Sequence, residues 1–331
     1  MKRSIFVICA CVTIFLMSCQ HKDLCYHHPH EATVRVEFDW RNAPNATPEG
    51  MTVYFYPEGG GSPQRSDFIG KNGGSVDLIV GKYKVICYNN DTEAVLFKNI
   101  NQFDHHEAYT RDGNIFESIY GNATHYAPKA KSAEEERVVI SPDMMWGCSV
   151  YDLEITESGL SYICVPEKDK DDVSVENKEH VIVLYPHELV STYTYEVRNV
   201  SNLKYVAQIC GSLSSMSPSQ FFATEELDME CVTIPFASTS DGISKITGQF
   251  YTFGHHEDNQ ERHMMLFYAW LEDGAKYYYT YDVTDQIHAA PDKRHVHIII
   301  EGLEFPQPIG NGSGFDVDVD DWIIIEEDIL M

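Results

Sequence analysis

Alternation with a period of two dominates this chain from residue 33 onward, and that period admits strands and little else. In "TVRVEFDW", Val34, Val36, Phe38 and Trp40 fall on one side, with Arg35, Glu37 and Asp39 on the other. Successive strand side chains point to opposite faces, so the stretch has one apolar and one wet face. "MTVYFYP", "EAVLFKN" and "ERVVIS" repeat the style, and "GGSVDLIVGKYKVICYNND" reads as a hairpin around Gly81. Longer runs follow in "STYTYEVRNV", "KYVAQICGSL", "ISKITGQFYTF", "KYYYTYDVT" and "HVHIIIEGL". Gly, Pro and Asn turns separate them at even spacing, which predicts sandwiches rather than a parallel α/β sheet. Short helices are predicted only near "SPSQFFATEE" and "TDQIHAA". The expected fold class is therefore all-β, with two β-sandwich domains in tandem. Pro142 and "PDMMWG" read as their connector, giving an N-terminal sandwich over 33–145 and a C-terminal one over 146–331.

The first residues carry a different pattern. Lys2 and Arg3 precede an apolar run from Ile5 to Met17, followed by Ser18 and Cys19. That run is too short for a bilayer core of about 30 Å and suits the apolar region of an export signal. "LMSC" resembles a bacterial lipobox, so residues 1–18 are expected to be a lipoprotein signal peptide and Cys19 the lipidation site. Acyl chains on Cys19 would hold the protein to a membrane, each buried methylene contributing about 0.8 kcal/mol. Residues 19–32 then read as a lipid-anchored tether. Loss of residues 1–18 leaves 22 basic against 51 acidic residues, a net charge of −29. Such a chain repels phosphate backbones, and no nucleic-acid partner is expected. Cys25, Cys87, Cys148, Cys164, Cys210 and Cys231 remain once Cys9, Cys11 and Cys19 are set aside. No C-x-x-C pair occurs among them, and four lie in apolar runs, so buried free thiols are expected rather than three disulfides.

Candidates for chemistry are weak. "DHHEAY", "GHHEDNQERH" and "RHVHIII" are rich in histidine, and His295 and His297 share one strand face. A catalytic zinc site needs a third ligand, and nothing in the sequence nominates one for that pair. No cofactor and no metal site is expected. A nucleophile elbow and nucleotide-binding glycine motifs are missing from the sequence. Tyr277, Tyr279 and Tyr281 share one face of "KYYYTYD" and are candidates for stacking on sugar rings. The competing reading places them in a β core, where aromatics are enriched.

The tail "GFDVDVDDWIIIEEDILM" raises two readings. Asp316, Asp318, Asp320 and Glu327 hold calcium-loop spacing, but Asp321 replaces the required glycine and "EFPQPIGNGSG" cannot supply the entering helix. The alternation of Phe315, Val317 and Val319 with the aspartates predicts a terminal strand over 315–325, with the three apolar residues facing the C-terminal sandwich.

Several stretches together resemble a lipoprotein family of Bacteroides-type bacteria defined by a domain of unknown function. They are "KDLCYHHPH", "APNATPEGMTVYFYP", "GKYKVICYNNDTE", "TYTYEVRNVSNLKYV", "GQFYTFGHH", "DVTDQIHAAPDKRHVHIIIEGLE" and "VDDWIIIEEDILM", spread over nearly the whole mature chain. In general form the chain is similar to fimbrillin and fimbrial-anchor lipoproteins. That resemblance implies two transthyretin-like sandwiches and a surface-exposed, lipid-anchored place at the outer membrane. It further implies a non-catalytic fimbrial accessory or adhesin-like role, with other fimbrial or surface subunits as partners. In fimbrillins that polymerise, cleavage after an arginine opens a groove that a neighbour's C-terminal strand fills. By that resemblance Phe315, Val317 and Val319 are candidate partner-strand residues, and Arg41 and Arg111 are the arginines near strands. The alternative is a lipid-anchored glycan-binding module, and a hydrolase ranks below both.

Overall fold

An apolar strand face must be covered by another layer, and this chain solves that problem twice. The computed structural model describes residues 31–121, 123, 125–156, 159–160, 181–308 and 322–326. The chain opens with β1 (Glu31–Phe38), β2 (Gly50–Pro57), β3 (Gln64–Ile69), β4 (Gly74–Ile79) and β5 (Gly81–Asn89). There follow β6 (Val95–Lys98), β7 (Glu107–Thr110), β8 (Arg137–Val138), β9 (Trp146–Thr156), β10 (Gly159–Leu160), β11 (Val181–Leu184) and β12 (His187–Glu188). Next come β13 (Ser191–Ser201), β14 (Val206–Met216), β15 (Ser219–Phe221), β16 (Val232–Ala237) and β17 (Thr239–Ser240). The last are β18 (Ile246–Thr252), β19 (Met264–Leu271), β20 (Lys276–Asp282), β21 (His295–Glu304) and β22 (Ile323–Glu326). Among the described residues, α-helix is confined to Glu117–Tyr120 and Thr284–His288. The fold is all-β, as the alternation predicts.

The first sandwich packs the sheet β11-β1-β4 on the sheet β10-β9-β5-β2-β3. Val34, Val36, Val53, Phe55, Val85 and Leu184 meet between them. The second packs β17-β18-β13-β21 on β22-β20-β19-β14-β16-β8, around Tyr193, Tyr195, Phe267, Tyr279 and Ile298.

The segment between β5 and β9 ties the sandwiches together. β6 and β7 lie with β15 in a three-stranded sheet, so β7 from the first part pairs with β15 from the second. Tyr54, Tyr56 and Tyr88, on the outer face of the first sandwich, are buried there with Phe103, Phe222 and Phe253, and half-buried Phe97 packs against them. Further on, Phe116, Ala130 and Ala133 cover Leu266, Tyr268 and Trp270 on the outer face of β19. β8 then joins the second sandwich as a parallel edge strand beside β16. "MTVYFY" and "MLFYAWL" are therefore buried on both faces, which is why their apolar residues run on without alternating.

Five expectations need correction. The boundary at 145/146 falls inside the first sandwich, because β9 pairs with β5 over Gly81–Tyr88 and Ile182 and Leu184 share the same core. Pro142 marks no hinge; Pro142 and Met145 are buried, and the Asp143 carboxylate accepts the backbone N–H groups of Glu93 and Ala94. "SPSQFFATEE" forms β15 and a turn instead of a helix, because Ser219–Phe221 is captured by β7. Trp40 is half-buried, since β1 ends at Phe38 and a 3₁₀ turn carries Trp40 to the sandwich rim. There its indole N–H donates to the Lys71 carbonyl at 3.0 Å. β1 also starts at Glu31, inside the stretch expected as tether.

Candidate functional site

A cleft of about 360 Å³ opens where the start of β13 meets the β15–β16 connection, the β18–β19 loop and the residues before β21. Ser191, Gln220, Glu225, His255, His256 and Arg294 are among its lining. Glu225 and Arg294 are paired within it. Glu225 holds His187 at 2.8 Å and Arg294 at 3.2 Å, and its backbone sits at a φ of 59°. Burial pushes the Glu225 carboxyl up, but the bond to His187 and the charges of His187 and Arg294 outweigh it and hold it below its ordinary value.

Beside this cleft three histidines converge, two from the β18–β19 connection and one from the helix after β20. His255 follows β18, His263 immediately precedes β19, and His288 ends the helix Thr284–His288. Their ring centroids form a nearly equilateral triangle with sides of 5.1, 5.2 and 5.1 Å. Donor atoms of all three lie within 4.8 Å of one another. His263 is fully buried, His255 half-buried and His288 exposed, so the group opens to solvent on one side. Burial holds His255 and His263 down to about 4, keeping both rings neutral at physiological pH.

The surroundings fix His263 in one tautomer. The register of β14 with β16 shifts between Leu213 and Met216, where Ser215 sits at a φ of 64°. The Glu136 carboxylate accepts both the backbone N–H and the hydroxyl of Ser215 at 3.1 Å, holding the irregularity. Such a bulge re-aims nearby groups. Here the Ser214 carbonyl lies 3.2 Å from His263 Nδ1. A carbonyl only accepts, so Nδ1 carries the proton and Nε2 presents a lone pair. That lone pair faces His288 Nε2 at 3.2 Å.

The residues singled out from the sequence fall elsewhere. Tyr279 and Tyr281 are 0% and 5% exposed and belong to the core of the second sandwich. The Tyr279 hydroxyl donates to the Glu304 carbonyl at 3.0 Å, and Tyr277 is half-buried against the same core. The tyrosine row thus offers no open face for a sugar, which overturns it as a glycan-stacking candidate. His295 and His297 lie on the polar face of β21. His295 is held by Glu188 at 3.1 Å and Asp292 at 2.9 Å, and His297 by Thr194 at 2.9 Å. Arg111 is engaged with Glu117, and Arg41 with Asp39. Cys87 and Cys210 are buried, Cys148 and Cys231 half-buried, and all four are free thiols. Cys19, Cys25, Cys164, Phe315, Val317, Val319 and the calcium-loop aspartates lie outside the described residues. The end of the terminal strand is seen: β22 pairs in parallel with β20, Ile323 opposite Tyr277. The stretch "GHHEDNQERH" held two of the converging histidines, but the third lies 25 residues beyond His263, where the sequence showed only a short helix.

Two β-sandwiches in tandem, bound by a shared small sheet and with no described helix long enough to cross a membrane, define an all-β, double-sandwich architecture. The model of the domain of unknown function DUF5119 matches residues 18–237, and the chain belongs to that family. Over 214 residues the chain is 26% identical to a Bacteroides ovatus protein provisionally assigned as fimbrium anchoring subunit Fim4B, a match covering 64% of this chain. It spans about half (54%) of that relative's length. A crystal structure from Bacteroides ovatus, provisionally described as an adhesin, shares the fold with a TM-score of 0.60 at 20% identity, covering 88% of this chain and 98% of that one. Another so described, from Bacteroides thetaiotaomicron, gives a TM-score of 0.50 at 10% identity, covering 84% and 93%.

Proposed function

We propose that this chain is a non-catalytic lipoprotein of the outer membrane, acylated at Cys19, exposed at the cell surface, and acting as a fimbrial accessory or adhesin-like subunit. The observation that carries the reading is the 214-residue likeness to the protein provisionally assigned as a fimbrium anchoring subunit. The fold shared with an adhesin-described structure over 88% of the chain supports it. A short export run ending in "LMSC" supplies the anchor, and residues 19–30 form the tether to β1. A pair of sandwiches joined by a shared sheet, on such a tether, suits a part that holds other surface subunits. Glu225, held by His187 on one side and Arg294 on the other, fits a binding cleft better than turnover. Phe315, Val317 and Val319 are the candidates for strand addition to a neighbouring subunit's sheet, the alternative to their facing this chain's own C-terminal sandwich.

The test has two arms. Fatty-acid labelling of the parent should disappear in Cys19→Ser, with the protein left unprocessed or released. Label retained in the mutant would remove the anchor. Cross-linking of intact cells with a non-permeant reagent should then recover the chain joined to fimbrial subunits. A chain inaccessible to that reagent would sink the surface role.

A further inference from the structure

We infer that His255, His263 and His288 form a binding site for a divalent transition metal of the zinc class. Three observations carry it independently of the fimbrial reading. The donor atoms come from the two ends of the β18–β19 connection and from the helix Thr284–His288, yet fall within 4.8 Å of one another. His263 presents its Nε2 lone pair because its Nδ1–H is spent on the Ser214 carbonyl. Metal-binding histidines are oriented in this same manner, with the second nitrogen donating to a carbonyl or carboxylate. Finally, His263 Nε2 and His288 Nε2 stand 3.2 Å apart. Two nitrogens each about 2.05 Å from a tetrahedral zinc lie about 3.3 Å apart, so this edge of the triangle already has the spacing of a bound ion.

His255 completes the set after a small ring adjustment, its Nδ1 lying 3.5 Å from the buried Tyr193 hydroxyl and its Nε2 left for the metal. An all-imidazole set suits zinc, copper or nickel over magnesium or calcium. Of the charges near the site, Asp282 is paired with Arg262 at 3.6 Å. Lys293 is tied to the carbonyls of Ile287 and His288. Exposure of His288 leaves the fourth position to water from the solvent side. Metal would clamp the β18–β19 loop, which lines the cleft, to the helix Thr284–His288.

Without metal, the 3.2 Å contact is a hydrogen bond in which His288 Nε2–H donates to His263. The two cases separate experimentally. The mature chain, carrying His21→Ala, His27→Ala, His28→Ala and His30→Ala to remove the histidines near the anchor, is stripped with chelator and titrated with zinc chloride by calorimetry. One zinc per chain should bind, with a rise in melting temperature that chelator reverses. Cobalt in place of zinc should give the visible absorption of a tetrahedral site. His288→Ala, at an exposed position, and His255→Ala should each weaken binding about a hundredfold or more, since loss of a supporting contact alone costs 10–100-fold. Circular dichroism of both variants should match the parent. The proposal stands only if both variants lose the metal; absence of saturable uptake, or binding unchanged in either variant, overturns it.

Discussion

At the scale of the residue, burial decides which polar groups matter. His106 is fully buried, with Tyr56 Oη 2.6 Å from its Nδ1 and Tyr88 Oη 3.4 Å from its Nε2. Tyr54, Phe97 and Phe222 pack around the ring within 5.0–6.2 Å. Loss of water lowers its pKa from 6.5 to about 4. Between those values the unfolded chain takes up a proton that the folded one refuses. Stability is therefore fully present above about pH 6.5 and falls as pH drops toward 4, by about 3 kcal/mol for this one group. His106→Gln removes that dependence while costing stability at pH 7. Urea unfolding of both proteins should show the gap between them narrowing steadily from pH 7 to 4. Parallel pH profiles would mean that His106 is charged in the fold. Nothing in the sequence singles out this residue, because "DHHEAY" places His105 and His106 side by side and only the register of β7 against β6 and β15 buries the second.

At the scale of the element, alternation shows which residues share a face but not what covers that face. The phase of β1 was legible: Val34, Val36 and Phe38 are buried, and Arg35 is exposed. Its end was not, because Asp39 caps a 3₁₀ turn that no apolar pattern announces. Tyr277, Tyr279 and Tyr281 were correctly placed on one side, yet whether that side met sugar or core depended on β13 and β21 across the sandwich. The domain boundary failed for the same reason, since β9 returns to β5 after the excursion through β6, β7 and β8. The C-terminal strand makes a prediction at this scale. Trp322 sits 5.0–5.6 Å from the rings of Phe116, Tyr268 and Trp270, while Ile323 and Ile324 beyond it are nearly half exposed. Trp322→Ala should cost about 2 kcal/mol, less than a fully buried aromatic because the ring is half-buried. Ile324→Ser should change stability by less than about 0.5 kcal/mol. Ending the chain at residue 314 should uncover the edge of β20 and promote self-association, visible by light scattering. A truncated chain as monomeric as the parent would show that β22 protects nothing.

At the scale of the molecule, the two sandwiches are bound through backbone as well as side chains, which sets how they must unfold. β7 hydrogen-bonds to β15 across the junction, and β8 extends the second sandwich's larger sheet. Leu189, Val190, Phe222 and Phe253 from the second half share a core with Tyr54, Tyr56, Ile86 and Tyr88 from the first. Arg137, at the end of the crossing segment, pairs with Asp112 on its own side and Glu230 on the other, although such exposed pairs add little. Separating the sandwiches would strand both apolar surfaces in water, at about 25 cal/mol for each Å² exposed. A single cooperative transition is therefore expected in calorimetry, with equal calorimetric and van't Hoff enthalpies. Phe116 tests the coupling from a distance. It lies in the crossing segment, is 2% exposed, and stacks among Tyr268, Trp270 and Trp322 on the second sandwich. Phe116→Ala should lower stability by about 3–5 kcal/mol. The loss should be the same whether unfolding is followed by fluorescence of Trp40 in the first sandwich or of Trp270 in the second, using variants that keep one tryptophan each. A Trp40 signal that ignores Phe116→Ala, or two separate heat-absorption peaks, would show that each sandwich stands alone and that the crossing segment is only a connector.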